Sequence, residues 1–301
     1  WLYSNCYFII VTNRKLYILI NFSIFRIKMK TKLIKTEGWE LIPGNFRFIE
    51  AFFLDKRNKE LMNEADRLAK SDFENHPALS VIKYNPKNQT FEGSNVYSVV
   101  LLNMLLRGDH YKTAASQDLE YVMWANDPRF NASHLKGHYE DIGIALRSDQ
   151  EPNGYHAKDL ITQLQEKLGS EFKLPYKLDL SNLELRLDQN SPNKLAFNIL
   201  DPSKAFYAPI LNEKTGKFED SDPGLLQTGL PGKLGEGTKT FYTEKNGLHR
   251  LYLGRSLDLG SGWYDLDFSG SGGRVVVVGE ADAQKLKQYV NSVYNKQVKE
   301  F

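Results

Sequence analysis

Hydrophobic and polar positions change their spacing a little past the middle of the chain. From residue 39 to about 168 the apolar side chains recur with helical spacing. Leu61, Met62, Ala65, Leu68 and Ala69 fall on one face, and Lys59, Glu60, Asn63, Glu64, Asp66 and Arg67 point away from it, which predicts an amphipathic surface helix. Gly93, Ser94 and Asn95 supply a cap, and the residues from Val96 to Leu106 are apolar nearly all round. A helix wet on no side belongs in the middle of a core. A short helix is predicted over residues 118–124, favoured by Asp118 near the positive end of its dipole. Another is read from Leu160, Ile161, Leu164 and Leu168, closed by Gly169.

Beyond Pro175 the period falls to two. Leu183, Leu185 and Leu187 alternate with polar residues, Asn190-Ser191-Pro192-Asn193 turns, and Leu195, Phe197 and Ile199 resume the alternation, which predicts a hairpin with one buried face. A second hairpin is expected over residues 240–253, because Asn246-Gly247 suits a two-residue turn. Residues 275–278 form an all-valine run bounded by glycines, and after it Leu286, Tyr289, Val290, Val293, Tyr294 and Val298 share a helical face. The fold class expected is therefore α+β: a helical N-terminal half, then an antiparallel β-hairpin sheet packed by a C-terminal helix. Residues 29–172 are read as a helix-rich subdomain and 173–301 as a β-rich one.

Composition adds one correction. The 301 residues carry a formal charge of +2, but residues 1–28 hold Arg14, Lys15, Arg26 and Lys28 with no acid. Without those four cations, 35 basic residues face 37 acidic ones, a net charge of −2. A nucleic-acid partner, which needs a concentrated positive face, is not expected. The same segment lacks Ala, Gly, Pro, Gln and His and is dominated by residues that A/T-rich codons specify, and the first methionine is Met29. Residues 1–28 are therefore read as a non-native translated leader. Its apolar stretches are broken by Asn13-Arg14-Lys15 and are too short for a spanning helix, so no membrane partner is expected. Cys6 is the only cysteine, which excludes a disulfide framework and a cysteine zinc site; a chain starting at Met29 has none, as suits a cytoplasmic protein.

Gly93-Ser94-Asn95-Val96, together with the stretch from Leu251-Tyr252-Leu253-Gly254-Arg255 through Asp258 to Gly273-Arg274-Val275-Val276-Val277-Val278, resembles uncharacterised proteins predicted from small archaeal genomes. The resemblance implies no activity, cofactor or binding residue.

Two constellations carry chemistry that a metal would use. Asp265, Asp267 and Ser269, followed by Gly270, reproduce the oxygen ligands at positions 1, 3 and 5 and the turn glycine of a calcium loop, but Val276 stands where the bidentate acid belongs and only Asp258 is left to replace it. His134 and His138 are four residues apart, with Glu140, Asp141, His156 and Asp159 nearby, so that His134, His138 and Asp141 offer two imidazoles and a carboxylate to one zinc ion. Against this, Gly137 interrupts the helix that the spacing needs. The glycine-rich Gly232-Lys233-Leu234-Gly235 stretch lacks the Lys-Ser/Thr order of a phosphate loop. No serine elbow is present, and His249 and the aromatics Phe206, Tyr207, Tyr242, Tyr252, Trp263 and Tyr264 are read as strand and core residues.

The function expected is a non-catalytic structural or protein-interaction protein with an unidentified protein partner and no cofactor. The alternative is a metal-dependent, hydrolase-like enzyme using the His/Asp cluster. The leader reading has a direct test. Mass spectrometry of the protein from its native source is expected to find an N-terminus at Met29; one upstream of it overturns the reading.

Overall fold

The computed structural model describes residues 7–12, 15–20, 55–87, 90–109, 111–125 and 132–279. The chain divides into two units, Trp1–Pro43 and Gly44–Phe301. In the first, the apolar stretches flanking Asn13-Arg14 form strands β1 (Tyr7–Thr12) and β2 (Lys15–Ile20), which pair antiparallel.

The second unit interleaves helices and strands. Its first part runs α1 (Asp55–Ser71), β3 (Lys83–Asn85), β4 (Thr90–Glu92), α2 (Val96–Leu106), β5 (Tyr111–Thr113), α3 (Ser116–Ala125), α4 (Ala132–Leu135), β6 (Glu140–Leu146) and α5 (Gly154–Leu168). Its second part runs β7 (Tyr176–Leu178), β8 (Leu183–Leu187), β9 (Leu195–Ile199), β10 (Phe206–Tyr207), β11 (Gly216–Phe218), α6 (Pro223–Thr228), β12 (Lys239–Thr243), β13 (Leu248–Leu253), β14 (Leu259–Trp263), β15 (Arg274–Val275) and β16 (Val277–Gly279). No described helix is long and apolar enough to cross a membrane.

Helices α1, α2, α3 and α5 form where the apolar spacing places them, whereas the short α4 and α6 carry no such spacing. Asn95 caps α2 by accepting a hydrogen bond from the Ser98 amide at 2.7 Å, and most of α2 is buried, as its unbroken apolar surface requires. Helix α5 buries Ala157, Leu160, Ile161 and Leu164 and ends at Gly169, whose positive φ of 54° suits a residue without a side chain. Strands β8 and β9 pair in the register that the alternation predicts, with Leu185 opposite Phe197.

The expected layout of a helical N-terminal half followed by an antiparallel hairpin sheet is nevertheless wrong. The main sheet has seven strands in the order β10-β7-β6-β13-β14-β12-β11, so β6, from the supposedly helical half, lies near its centre. Strand β6 begins with Glu140 and Asp141, an acidic start that hides it from a search for alternating apolar residues. Strands β3, β4 and β5 are only three residues each, too short to show a period; β4 pairs with β15 and β5 with β16. The sheet is also not purely antiparallel. Strand β14 inserts between β12 and β13 and runs parallel to β12, so the hairpin expected over 240–253 does not form despite Asn246-Gly247. The final helix predicted beyond residue 280 lies outside the described residues.

One apolar cluster joins α1, α2 and α5 to β6, β7, β8, β9 and β13, and it takes in Val275 and Val277. Two ion pairs lock the edges of this core to β6. Arg250, on β13, donates from Nε to Oδ1 and from Nη2 to Oδ2 of Asp141, both at 2.7 Å, across 109 residues of sequence. Ser94, just ahead of α2, donates to the same carboxylate at 2.5 Å. Arg274 on β15 holds Glu140 differently: its Nε at 2.9 Å and its Nη2 at 2.7 Å both donate to the one oxygen Oε1.

Breaking a buried pair leaves a charge without a partner, whereas removing both partners does not. Arg250→Met is therefore expected to cost about 3–5 kcal/mol in urea unfolding, and Asp141→Leu combined with Arg250→Met is expected to recover most of it. A single-variant loss below about 1 kcal/mol, the scale of an exposed pair, would overturn this assignment.

Candidate functional site

Arg250 organises the loop in which the calcium-like motif lies. Its Nη1 donates to the carbonyls of Asp265 at 3.2 Å and Phe268 at 2.8 Å. Asn95 Nδ2 donates to the Asp267 carbonyl at 2.8 Å, and Ser269 Oγ accepts from the Ser94 amide at 3.2 Å. A guanidinium charge thus lies within the loop that a bound cation would have to enter. The carboxyls of Asp265 and Asp267 hydrogen-bond to each other, and that contact, with burial and the mutual repulsion of the two groups, pushes the Asp267 carboxyl up to about 6. Asp258 is committed elsewhere: it accepts from the Thr240 amide and the Ser256 hydroxyl, both at 2.6 Å.

The histidine constellation does not converge. His134 sits in α4 and gives its carbonyl to Arg274. The charges of Arg274 and Arg255, after burial, hold the His138 ring below its ordinary pKa. Both oxygens of Asp141 are taken by Arg250. His156 packs in the core against the Tyr97 hydroxyl at 3.1 Å, and Asp159 pairs with Arg186 at 3.0 Å. Among the described residues, no three His, Cys, Asp or Glu side chains are placed to hold a metal ion. In the glycine-rich loop the amides of Gly232 and Lys233 donate to the Asp222 carboxylate at 3.0 and 3.4 Å, which occupies the place that a phosphate would take.

Several aromatics read as core residues are instead exposed. Trp263 is 43% exposed, Tyr242 48% and Tyr264 62%, and Phe268, in the calcium-like loop, is exposed beside them. For Trp263 the cause is a bulge. The β13·β14 register runs from Tyr252 opposite Gly260 to Arg250 opposite Trp263, so the extra residue in β14 brings Trp263 round to the face that carries Arg250 and Tyr252. A side chain at Gly260 would meet the Tyr252 ring at 2.3 Å, so glycine is what lets that ring lie across the strand. Trp263 stacks on Phe268 with ring centroids 4.9 Å apart, and Tyr252 meets Trp263 edge-on at 6.2 Å. Beneath them the Arg250 guanidinium lies 5.7–6.0 Å from the rings of Tyr139, Trp263 and Phe268. The result is an aromatic ledge whose floor is a buried, paired cation.

A second site lies on the opposite face of β13. His249, next in sequence to Arg250, forms part of the wall of a cleft of about 410 Å³ together with Glu151, Glu213, Lys214, Thr243, Glu244 and Lys245. Behind it Arg147 donates from Nε to the Leu211 carbonyl at 2.8 Å and from Nη2 to the Ser261 hydroxyl at 2.5 Å, and its Nη1 contacts His249 Nδ1 at 3.3 Å. Burial pushes the Arg147 guanidinium down to about 10 against the opposing pull of Glu244, and burial with the Arg147 charge pushes His249 down to about 4. Sequence reasoning missed both arginines. The signal was present, since Arg250 interrupts the apolar strand 248–253 and Arg147 closes the apolar run 142–146.

No family model matches this chain, and neither a curated protein nor a solved structure is similar to it.

The state of His249 can be tested by pH. A ring held neutral in the fold binds its proton only after the unfolded chain, whose histidine titrates near 6.5, has bound one. Its contribution to stability is complete above about 6.5 and is lost as pH falls toward about 4. His249→Gln is expected to flatten the stability profile in that window. Equal slopes in the two proteins would overturn the assignment, as would an imidazolium spectrum for His249 at pH 5.5.

Proposed function

We propose that the protein is a non-catalytic interaction protein whose contact surface is the aromatic ledge. The observation that supports this reading is the exposed Trp263–Phe268 stack, fixed from below by Arg250. Tryptophan, tyrosine and arginine are the side chains that dominate binding energy at protein interfaces, and a rigid aromatic surface loses little entropy when it is covered. Tyr242, level with Gly260 and Tyr252 across the sheet, is exposed as well, and Asp265 and Asp267 place acid in the loop that carries Phe268. A partner protein presenting a basic side chain flanked by apolar residues fits that combination.

Trp263→Ala with Phe268→Ala removes the ledge without touching the Arg250–Asp141 pair. Affinity capture from the native organism, compared by quantitative mass spectrometry, is expected to yield a partner that the double variant retains at least about tenfold less well. The two proteins are expected to melt within a few degrees of each other. Identical capture by a well-folded double variant would overturn the proposal.

A further inference from the structure

Four basic side chains are buried among the described residues, none more than 6% exposed: Arg147, Lys177, Arg250 and Arg274. Three of them touch a carboxylate. Lys177 lies 2.8 Å from Asp179, Arg250 2.7 Å from Asp141 and Arg274 2.7 Å from Glu140. Arg147 differs. Among the described residues no acid comes within ion-pair distance of it, and its three partners, a carbonyl, a hydroxyl and an imidazole, are neutral. Burying a charge without a counter-charge is unfavourable, and the other three buried cations avoid it.

The unpaired cation stands behind the wall of the cleft that His249 lines, and one ring connects the two. Arginine can only donate, so His249 Nδ1 must accept from it, and the neutral ring carries its proton on Nε2. Nε2 has no hydrogen-bond partner among the described residues, and His249 is buried to 3% exposure while still lining the cleft. The cleft therefore meets a fixed N–H donor backed by a positive charge that no carboxylate of the described residues contacts. Its remaining wall carries three acids, Glu151, Glu213 and Glu244, against Lys214 and Lys245, so a bare anion would face repulsion that a ligand of both charges would not.

We propose that this cleft binds a small zwitterion of amino-acid type. The ligand's carboxylate accepts from His249 Nε2–H in the field of Arg147, and its ammonium lies among Glu213 and Glu244. The volume is in the range of small-molecule sites and leaves room for a side chain. The inference is independent of the aromatic ledge, which lies on the other face of β13.

The test is a titration of the full chain with the twenty standard amino acids and, separately, with acetate and methylamine, each at about 10 mM, above the millimolar scale of weak binding. The His249 ring resonances and the melting temperature are the readouts. At least one amino acid is expected to shift both, with acetate and methylamine binding at least about tenfold more weakly. Arg147→Met is expected to abolish binding while leaving the free protein at least as stable as the parent, because it removes the unpaired charge. Should that variant fail to fold, Glu244→Gln combined with Glu213→Gln, both on the cleft wall, is expected to weaken amino-acid binding without altering the fold. Absence of any shift with every amino acid would overturn the proposal, as would acetate binding as tightly as the best amino acid, or undiminished binding by a folded Arg147→Met or by the double glutamine variant.

Discussion

The bidentate contact between Arg250 and Asp141 sets the arrangement of everything around it. One carboxylate holds a guanidinium from β13 and a hydroxyl from the residue before Asn95, the cap of α2. The same guanidinium reaches on to two carbonyls of the loop after β14. Burial works against the Arg250 charge, but the nearby carboxylate outweighs it, so the group remains more firmly protonated than an arginine in water. Such a pair contributes little to stability compared with an apolar replacement, but it admits few alternatives. It specifies which strand lies beside β6 and where the core helix begins.

Neighbouring residues of β13 show how one strand serves two environments. Arg250 faces a complementary carboxylate and a roof of rings, while His249, one residue earlier, faces an arginine that has no carboxylate. Successive side chains on a strand point to opposite faces, so the two settings are separated by the thickness of the sheet. The first setting is satisfied within the chain, and the second is satisfied only by neutral dipoles.

Elements with local causes were legible in the sequence. Helix α2 reads as buried because its apolar residues leave no wet side, α5 because its leucines share a face and a glycine ends it, and the β8–β9 pair because leucine and phenylalanine alternate around a polar turn. What was illegible depends on partners far away in the chain. Glu140 and Asp141 looked like acids waiting near histidines, and they are instead buried strand residues held by arginines 134 and 109 positions further on. Asn246-Gly247 has turn chemistry, but chemistry within a turn cannot show that a third strand will enter between its arms. Alternation likewise could not place Trp263, since a single extra residue in β14 reverses the face on which it emerges.

The parallel pairing of β12 with β14 has a consequence for assembly. Strands β12 and β13 are adjacent in sequence and linked by residues suited to a hairpin, yet each lacks one of its two neighbours until Leu259–Trp263 is present. A nascent chain that has emerged only as far as Gly254 carries two strands free to zip onto each other, and that premature closure must reopen before the third can be admitted. The central ladder is thus completed from its later segment backward, and the time for which those two edges stay apart becomes a property on which selection can act.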